Sequence, residues 1–88
     1  MKIIRIGAVW CPACLVMKNR WQKIENKLSH VEFTDYDLDM DSDKITYQVG
    51  NILPVCIIEE NGKEVARIIG EKKEADLEEA LRKVGVKL

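Results

Sequence analysis

Long apolar runs, a second cysteine pair and an excess of charge of either sign are all missing from this 88-residue chain. Its uninterrupted hydrophobic stretches reach only a few residues, far short of the roughly 20 that cross a bilayer, so no membrane partner is expected. Lys2 and Arg5 flank only Ile3-Ile4, and no apolar leader core follows Met1. The expected location is therefore cytoplasmic, where structural disulfides are rare and cysteines are usually catalytic or metal-binding. A net charge of −1, with both signs spread along the sequence, gives no electrostatic case for nucleic acid. No repeat, low-complexity tract or linker interrupts the chain. Residues 1–88 read as one domain, near the small end of what folds alone. Histidine occurs once, at His30, in a polar stretch suited to a solvated helix end, and it is given no chemical role.

What the chain does have is Trp10-Cys11-Pro12-Ala13-Cys14. Residues three apart on a helical turn lie about 5–6 Å apart at Cβ. A disulfide needs Cα atoms within about 4.4–6.8 Å, so the pair can close and open with small adjustments. Pro12 suits the first helical position, where its missing N–H is no loss. Cys11 then lies at the positive end of the helix, which favours a thiolate. Cys14, Met17, Trp21, Ile24 and Leu28 recur at steps of three and four, one apolar helical face. The expectation is an accessible, attacking Cys11 and a buried, resolving Cys14. Half of a zinc site is the competing reading of this spacing, but such sites usually show a second pair. Cys56 and His30, the remaining candidates, are not grouped. Redox chemistry without a metal or bound cofactor is expected.

Along the rest of the chain, Lys2–Gly7 reads as a buried strand and Pro12–Leu28 as the first helix. Val31–Leu38 reads as a second strand, with Phe33, Asp35 and Asp37 on one face. Two strands joined by a helix imply a parallel, right-handed unit. The aspartates from Asp35 to Asp43 fail as a calcium loop, because Ser42 and Gln48 occupy the positions that need Gly and Glu. They are read as a solvated turn leading into a short helix, capped by Asp41 or Ser42, that runs to Tyr47 or Val49 and ends at Gly50-Asn51. Pro54 opens a third strand, since it cannot donate to a ladder. Asn61-Gly62 marks a hairpin into a fourth, Glu64–Ile69. A last helix spans Glu74–Val84. Cys56, among isoleucines, is expected to be a buried, inert thiol.

The order β-α-β-α-β-β-α, with WCPAC after the first strand, Leu53-Pro54 before the third, Asn61-Gly62 in the hairpin and Gly70 before the last helix, resembles the thioredoxin superfamily. The resemblance implies an α/β fold lacking the family's N-terminal strand and helix. It implies a four-stranded mixed sheet in order 2-1-3-4 with helices on both faces. By the same resemblance Cys11 attacks and Cys14 resolves. Trp10 and Pro12 flank the site, and Leu53 and a cis Pro54 receive the substrate backbone. The implied activity is thiol–disulfide oxidoreduction, by a monomer, on disulfide-containing proteins, with a reductase or glutathione recycling it. The size is that of a glutaredoxin, yet no Gly-Gly pair follows Ile69, and the inner Pro-Ala matches neither subfamily. The alternatives are a glutathione-linked enzyme of glutaredoxin type, a metal or iron–sulfur carrier, and a redox-sensing module. Thioredoxins commonly carry an Asp six residues before the attacking cysteine, where this chain has Arg5. Asp35 or Asp37 on the next strand is expected to pair with it, the Arg5 charge lowering the Cys14 pKa and the aspartate or water taking the proton; the competing reading is that Arg5 reaches solvent.

Overall fold

In the computed structural model, which describes all 88 residues, the apolar run at the N-terminus forms β1 (Lys2–Gly7). There follow α1 (Pro12–Glu25), β2 (Glu32–Asp37), β3 (Val55–Glu60), β4 (Lys63–Ile69) and α2 (Glu74–Lys83). The sheet order is β2-β1-β3-β4, as the resemblance implied. β1 runs parallel to β2 and antiparallel to β3, so Arg5 lies opposite Asp35 on one side and Cys56 on the other. β3 and β4 form the antiparallel hairpin. Its turn residues Asn61 (φ 54°) and Gly62 (φ 79°) both take the left-handed conformation that a two-residue hairpin of right-handed twist demands.

Strand alternation divides the core in two. Ile3, Cys56, Ile58 and Ile68 face one side, where Met17, Trp21, Ile24 and Leu28 from α1 and Leu77 and Leu81 from α2 complete the larger cluster. Ile4, Ile6, Val55 and Ile57 face the other. Trp21, 2% exposed, anchors the larger cluster and meets Phe33 edge-on at 6.0 Å between ring centres. α1 ends at Glu25 rather than Leu28. Lys27 N–H and Leu28 N–H bond back three residues, to Ile24 and Glu25, and this tightened turn still carries Leu28 into the core.

Two expectations need correction. The short helix before Gly50 does not form, and both helices lie on the same face of the sheet instead of covering both. The opposite face is covered by extended chain, with Leu38, Ile45, Tyr47, Val49 and Leu53 packed on it. The cause is legible afterwards. From Ile45 to Gly50, half-buried and exposed residues alternate strictly, a period of two and not of 3.6. The aspartates that looked like helix caps bond locally instead: Asp37 Oδ1 accepts from Asp39 N–H and Met40 N–H, each at 2.9 Å, and Asp41 Oδ2 accepts from Asp37 N–H at 2.8 Å. Such side-chain bonds give the backbone an alternative to a helix.

Candidate active site

Cys11 is the residue on which α1 begins. Its backbone is extended (φ −97°, ψ 109°), Pro12 takes the first helical position, and Cys11 Sγ accepts from Cys14 N–H at 3.2 Å. A sulfur thus satisfies one of the orphan amides of the helix start, a place that favours negative charge. Cys14 Sγ lies over Gly7; a methyl group added there would stand 3.2 Å from it, so the missing side chain makes room for the sulfur.

The expected contrast in exposure is reversed. Cys11 is only 6% exposed, while Cys14 is half-buried and lines a cavity of about 410 Å³ that Cys11 does not touch. The reason is local. Capping the helix turns Cys11 Sγ inward onto its own first turn, whereas the apolar stripe proper starts at Met17. Burial first, then the hydrogen bond and charge of Cys11, pushes the Cys14 thiol up to about 11, so at neutral pH it keeps its proton. Both thiols are free.

Around the pair, Leu53–Pro54 is a cis peptide bond, and Pro54 lines the same cavity as Cys14. Pro54 O accepts from Gly70 N–H at 2.8 Å, which ties this loop to the end of β4. Trp10 is 61% exposed, and its Nε1 donates to Asp39 Oδ2 at 2.7 Å. Asp39 escaped the sequence reading, where it was one of several solvated aspartates. The clue was the Asp-x-Asp-Met spacing of a turn that bonds its own amides. Those amides, Met40's before Asp39's, hold the Asp37 carboxyl below the ordinary carboxylate value.

Arg5 is paired rather than solvated. Its Nε and Nη2 reach both oxygens of Asp35, at 2.6 and 2.8 Å, and its Nη1 bonds Glu25 Oε1. The guanidinium also stacks over Phe33, 4.7 Å from the ring centre. Asp37, the other suggested partner, is occupied by its turn. Glu25 was missed; it follows Trp21 by one helical turn and shares its stripe, which was the available signal. Of the residues expected to tune Cys14, Asp37 acts on it by charge, together with Cys11, whereas the Arg5 guanidinium is drawn toward Glu25, about three turns along α1 from Cys14. Arg5 acts instead on Cys56, favouring its thiolate, but burial dominates and pushes that thiol up to about 12. Cys56 is 1% exposed. Cys56→Ala is expected to leave the rate of protein-disulfide reduction within about twofold of the parent, because a buried free cysteine serves mainly as a small hydrophobe. A large loss in a normally folded variant would bring Cys56 into the chemistry.

A family model described as Thioredoxin matches residues 1–83. Thioredoxin H-type from Fagopyrum esculentum is 31% identical over 84 residues, covering 96% of this chain and 69% of that protein. Thioredoxin H7 from Arabidopsis thaliana is 31% identical over 70 residues, covering 80% of this chain; the match spans only 54% of that protein's length. Among solved structures, thioredoxin from Trypanosoma brucei brucei superposes with a TM-score of 0.73 at 28% identity, over 94% of this chain and 73% of that one. A thioredoxin f2 crystallised in complex with ferredoxin:thioredoxin reductase gives 0.82 at 20% identity, over 97% and 77%, a likeness of fold alone.

Proposed function

Because the chain belongs to the thioredoxin family, whose model matches residues 1–83, we propose that it is a thiol–disulfide oxidoreductase that reduces protein disulfides through a Cys11/Cys14 dithiol–disulfide cycle. The observation that carries this reading is the division of labour at the start of α1. Cys11 Sγ receives an amide N–H at 3.2 Å at the start of the helix, while the Cys14 thiol one turn on is pushed up to about 11.

Cys11 thiolate attacks one sulfur of the substrate disulfide. A Cys11–substrate bond forms and the other substrate sulfur leaves as thiolate. Cys14 then gives up its proton and attacks Cys11 Sγ. The Cys11–Cys14 bond closes, the second substrate thiol is released, and two electrons have passed to the substrate. In this reading Trp10, steadied by Asp39, and Pro12 flank the approach, and the backbone of Leu53 beside cis Pro54 receives the substrate's extended chain. A cytosolic poise favours reduction of substrates over their oxidation. A reductase, such as the ferredoxin:thioredoxin reductase crystallised with thioredoxin f2, is one candidate for recycling the disulfide.

With dithiothreitol as electron donor and a two-chain, disulfide-linked protein as substrate, the chain is expected to accelerate disulfide reduction well above the dithiothreitol background. A rate equal to the background, with Cys11 and Cys14 intact by mass, would sink the reading.

A further inference from the structure

At the β3–β4 edge, the face of the sheet that carries no helix holds a cluster of polar side chains from Tyr47, Glu59, Glu64 and Arg67. Residues an odd number of positions apart on a regular strand point to opposite faces. Glu64 and Arg67 escape this, because the pairing slips between them. Ile58 lies opposite Ala66 but Glu59 opposite Glu64, which leaves Val65 as an extra residue. The bulge turns Glu64 onto the face that Arg67 already shares with its partner Ile57 and with Glu59. Two carboxylates directly opposite each other repel. Here each has a donor of its own. The Tyr47 hydroxyl donates to Glu59 Oε2, and Arg67 donates to both oxygens of Glu64, from Nε at 2.5 Å and from Nη2 at 3.1 Å. Arg67 Nη1 is left over from this fork, and it donates to the backbone oxygen of Gln48 at 2.6 Å.

That last bond closes a loop. Residues 48–54 are hydrogen-bonded at their two ends, Gln48 O to the Arg67 side chain in β4 and Pro54 O to the N–H of Gly70, just past that strand, at 2.8 Å. Between the ends stand Val49 and Leu53, packed on the sheet, and Ile52, whose Cγ2 lies 3.2 Å from where a Gly70 side chain would begin. Arg67 and Gly70 are near neighbours in the chain, so the loop is pinned across its base while Pro54 reaches the cavity of Cys14. We propose that Arg67 is a positioning residue for substrate: by fixing the Gln48 end of this loop, it holds the Leu53 backbone in the place that receives the extended chain of a protein disulfide. The inference rests on the function proposed above and adds to it a residue that sets substrate affinity from outside the cysteine pair. A loop tied at one end samples more conformations than one tied at both, and that freedom is lost again when a substrate chain lies along it. The cost falls on binding. The sulfur chemistry at the start of α1 is left as it was.

The test follows reduction of a two-chain, disulfide-linked protein over a range of concentrations, with dithiothreitol as donor, by the full chain and by Arg67→Met and Arg67→Lys. A second measurement is the rate at which 2-hydroxyethyl disulfide, uncharged and without a peptide backbone, oxidises each reduced chain. For Arg67→Met, KM for the protein substrate is expected to rise about 3–10-fold with kcat within about twofold, the scale of one charge-assisted hydrogen bond on a half-buried group. Its rate with 2-hydroxyethyl disulfide should match that of the parent. Arg67→Lys keeps the charge but not the planar fork, and its KM should lie between the two. Should Arg67→Met fail to fold, Arg67→Lys decides by the same split. An unchanged KM, a fall in kcat at constant KM, or an equal loss with the small disulfide would overturn the proposal. The two readings fail separately. If the cycle is wrong, the parent itself does not reduce protein disulfides above the dithiothreitol background; if the proposal alone is wrong, the parent does, and the variants match its KM.

Discussion

Cys11→Ser is expected to lower the rate of protein-disulfide reduction by at least about a thousandfold, a loss of ~4 kcal/mol in transition-state stabilisation. A serine hydroxyl at the start of α1 accepts the Cys14 N–H as well as sulfur does, so the helix keeps its cap. What it loses is the sulfur nucleophile itself. Cys14→Ser should behave differently. Attack by Cys11 survives, resolution does not, and the protein accumulates as a mixed disulfide with its substrate after a single event. Intact-mass measurement without reductant distinguishes the two variants. The pair of substitutions is a severe test here, because Cys14 is the more open sulfur and Cys11 only 6% exposed. Should Cys11→Ser be the variant that traps substrate, the roles are interchanged and exposure, not helix position, decides the chemistry.

The second large effect is on stability at alkaline pH. Burial pushes the Cys56 thiol from an ordinary 9.0 up to about 12, and Cys14 rises to about 11. Tyr47, desolvated and donating to Glu59, is raised from 10.0 to about 12. A raised value means that the folded state holds the proton more tightly than the unfolded chain. The contribution is complete below pH 9, where both states are protonated. It is lost as pH climbs from 9 toward 12, where the unfolded thiols ionise and the folded ones resist. Cys56, almost wholly buried, accounts for the largest share, on the order of 4 kcal/mol at about 1.36 kcal/mol per pH unit. That is a large part of the roughly 5–15 kcal/mol that holds a domain together. Denaturant midpoints measured at pH 7, 9, 10 and 11 should be flat across the first interval and fall steeply thereafter. In Cys56→Ala the fall should be much shallower. An unchanged alkaline slope in that variant would remove Cys56 as its source.

How far the sequence carried depends on whether a feature is local. Pro12 at the helix start, the Asn61-Gly62 turn and the apolar runs of β1 and β3 each act through neighbours in the chain, and each is found as read; the relative exposure of Cys11 and Cys14 is not. Cis Pro54 came from family resemblance and not from any local preference. The errors lie where distant segments decide. Local caps near Asp41 argued for a helix, but packing of Ile45, Tyr47 and Val49 on the bare face of the sheet imposed extended chain. Arg5 meets Asp35, its neighbour in register and one of the two aspartates read as candidate partners, whereas Glu25 arrives from a helix whose rotation the sequence does not specify. The same holds for Asp39 beneath Trp10, which joins residues from two separate loops.

The sheet's two faces are also unequal in how they can come apart. One is held by helices with their own hydrogen-bond ladders, and the other by a segment in which no residue from Ile45 to Leu53 makes a backbone–backbone hydrogen bond. In native-state exchange such a layer belongs to the low-energy end of the opening spectrum, a unit that can detach while the rest of the fold stays closed. That segment runs directly into Leu53 and Pro54. Its opening would carry Leu53 and Pro54 away from Cys14 without disturbing α1 or its sulfur cap. Under the proposed function, breathing of the loop layer would act as an intermittent loss of substrate affinity that leaves the cysteine pair itself in place.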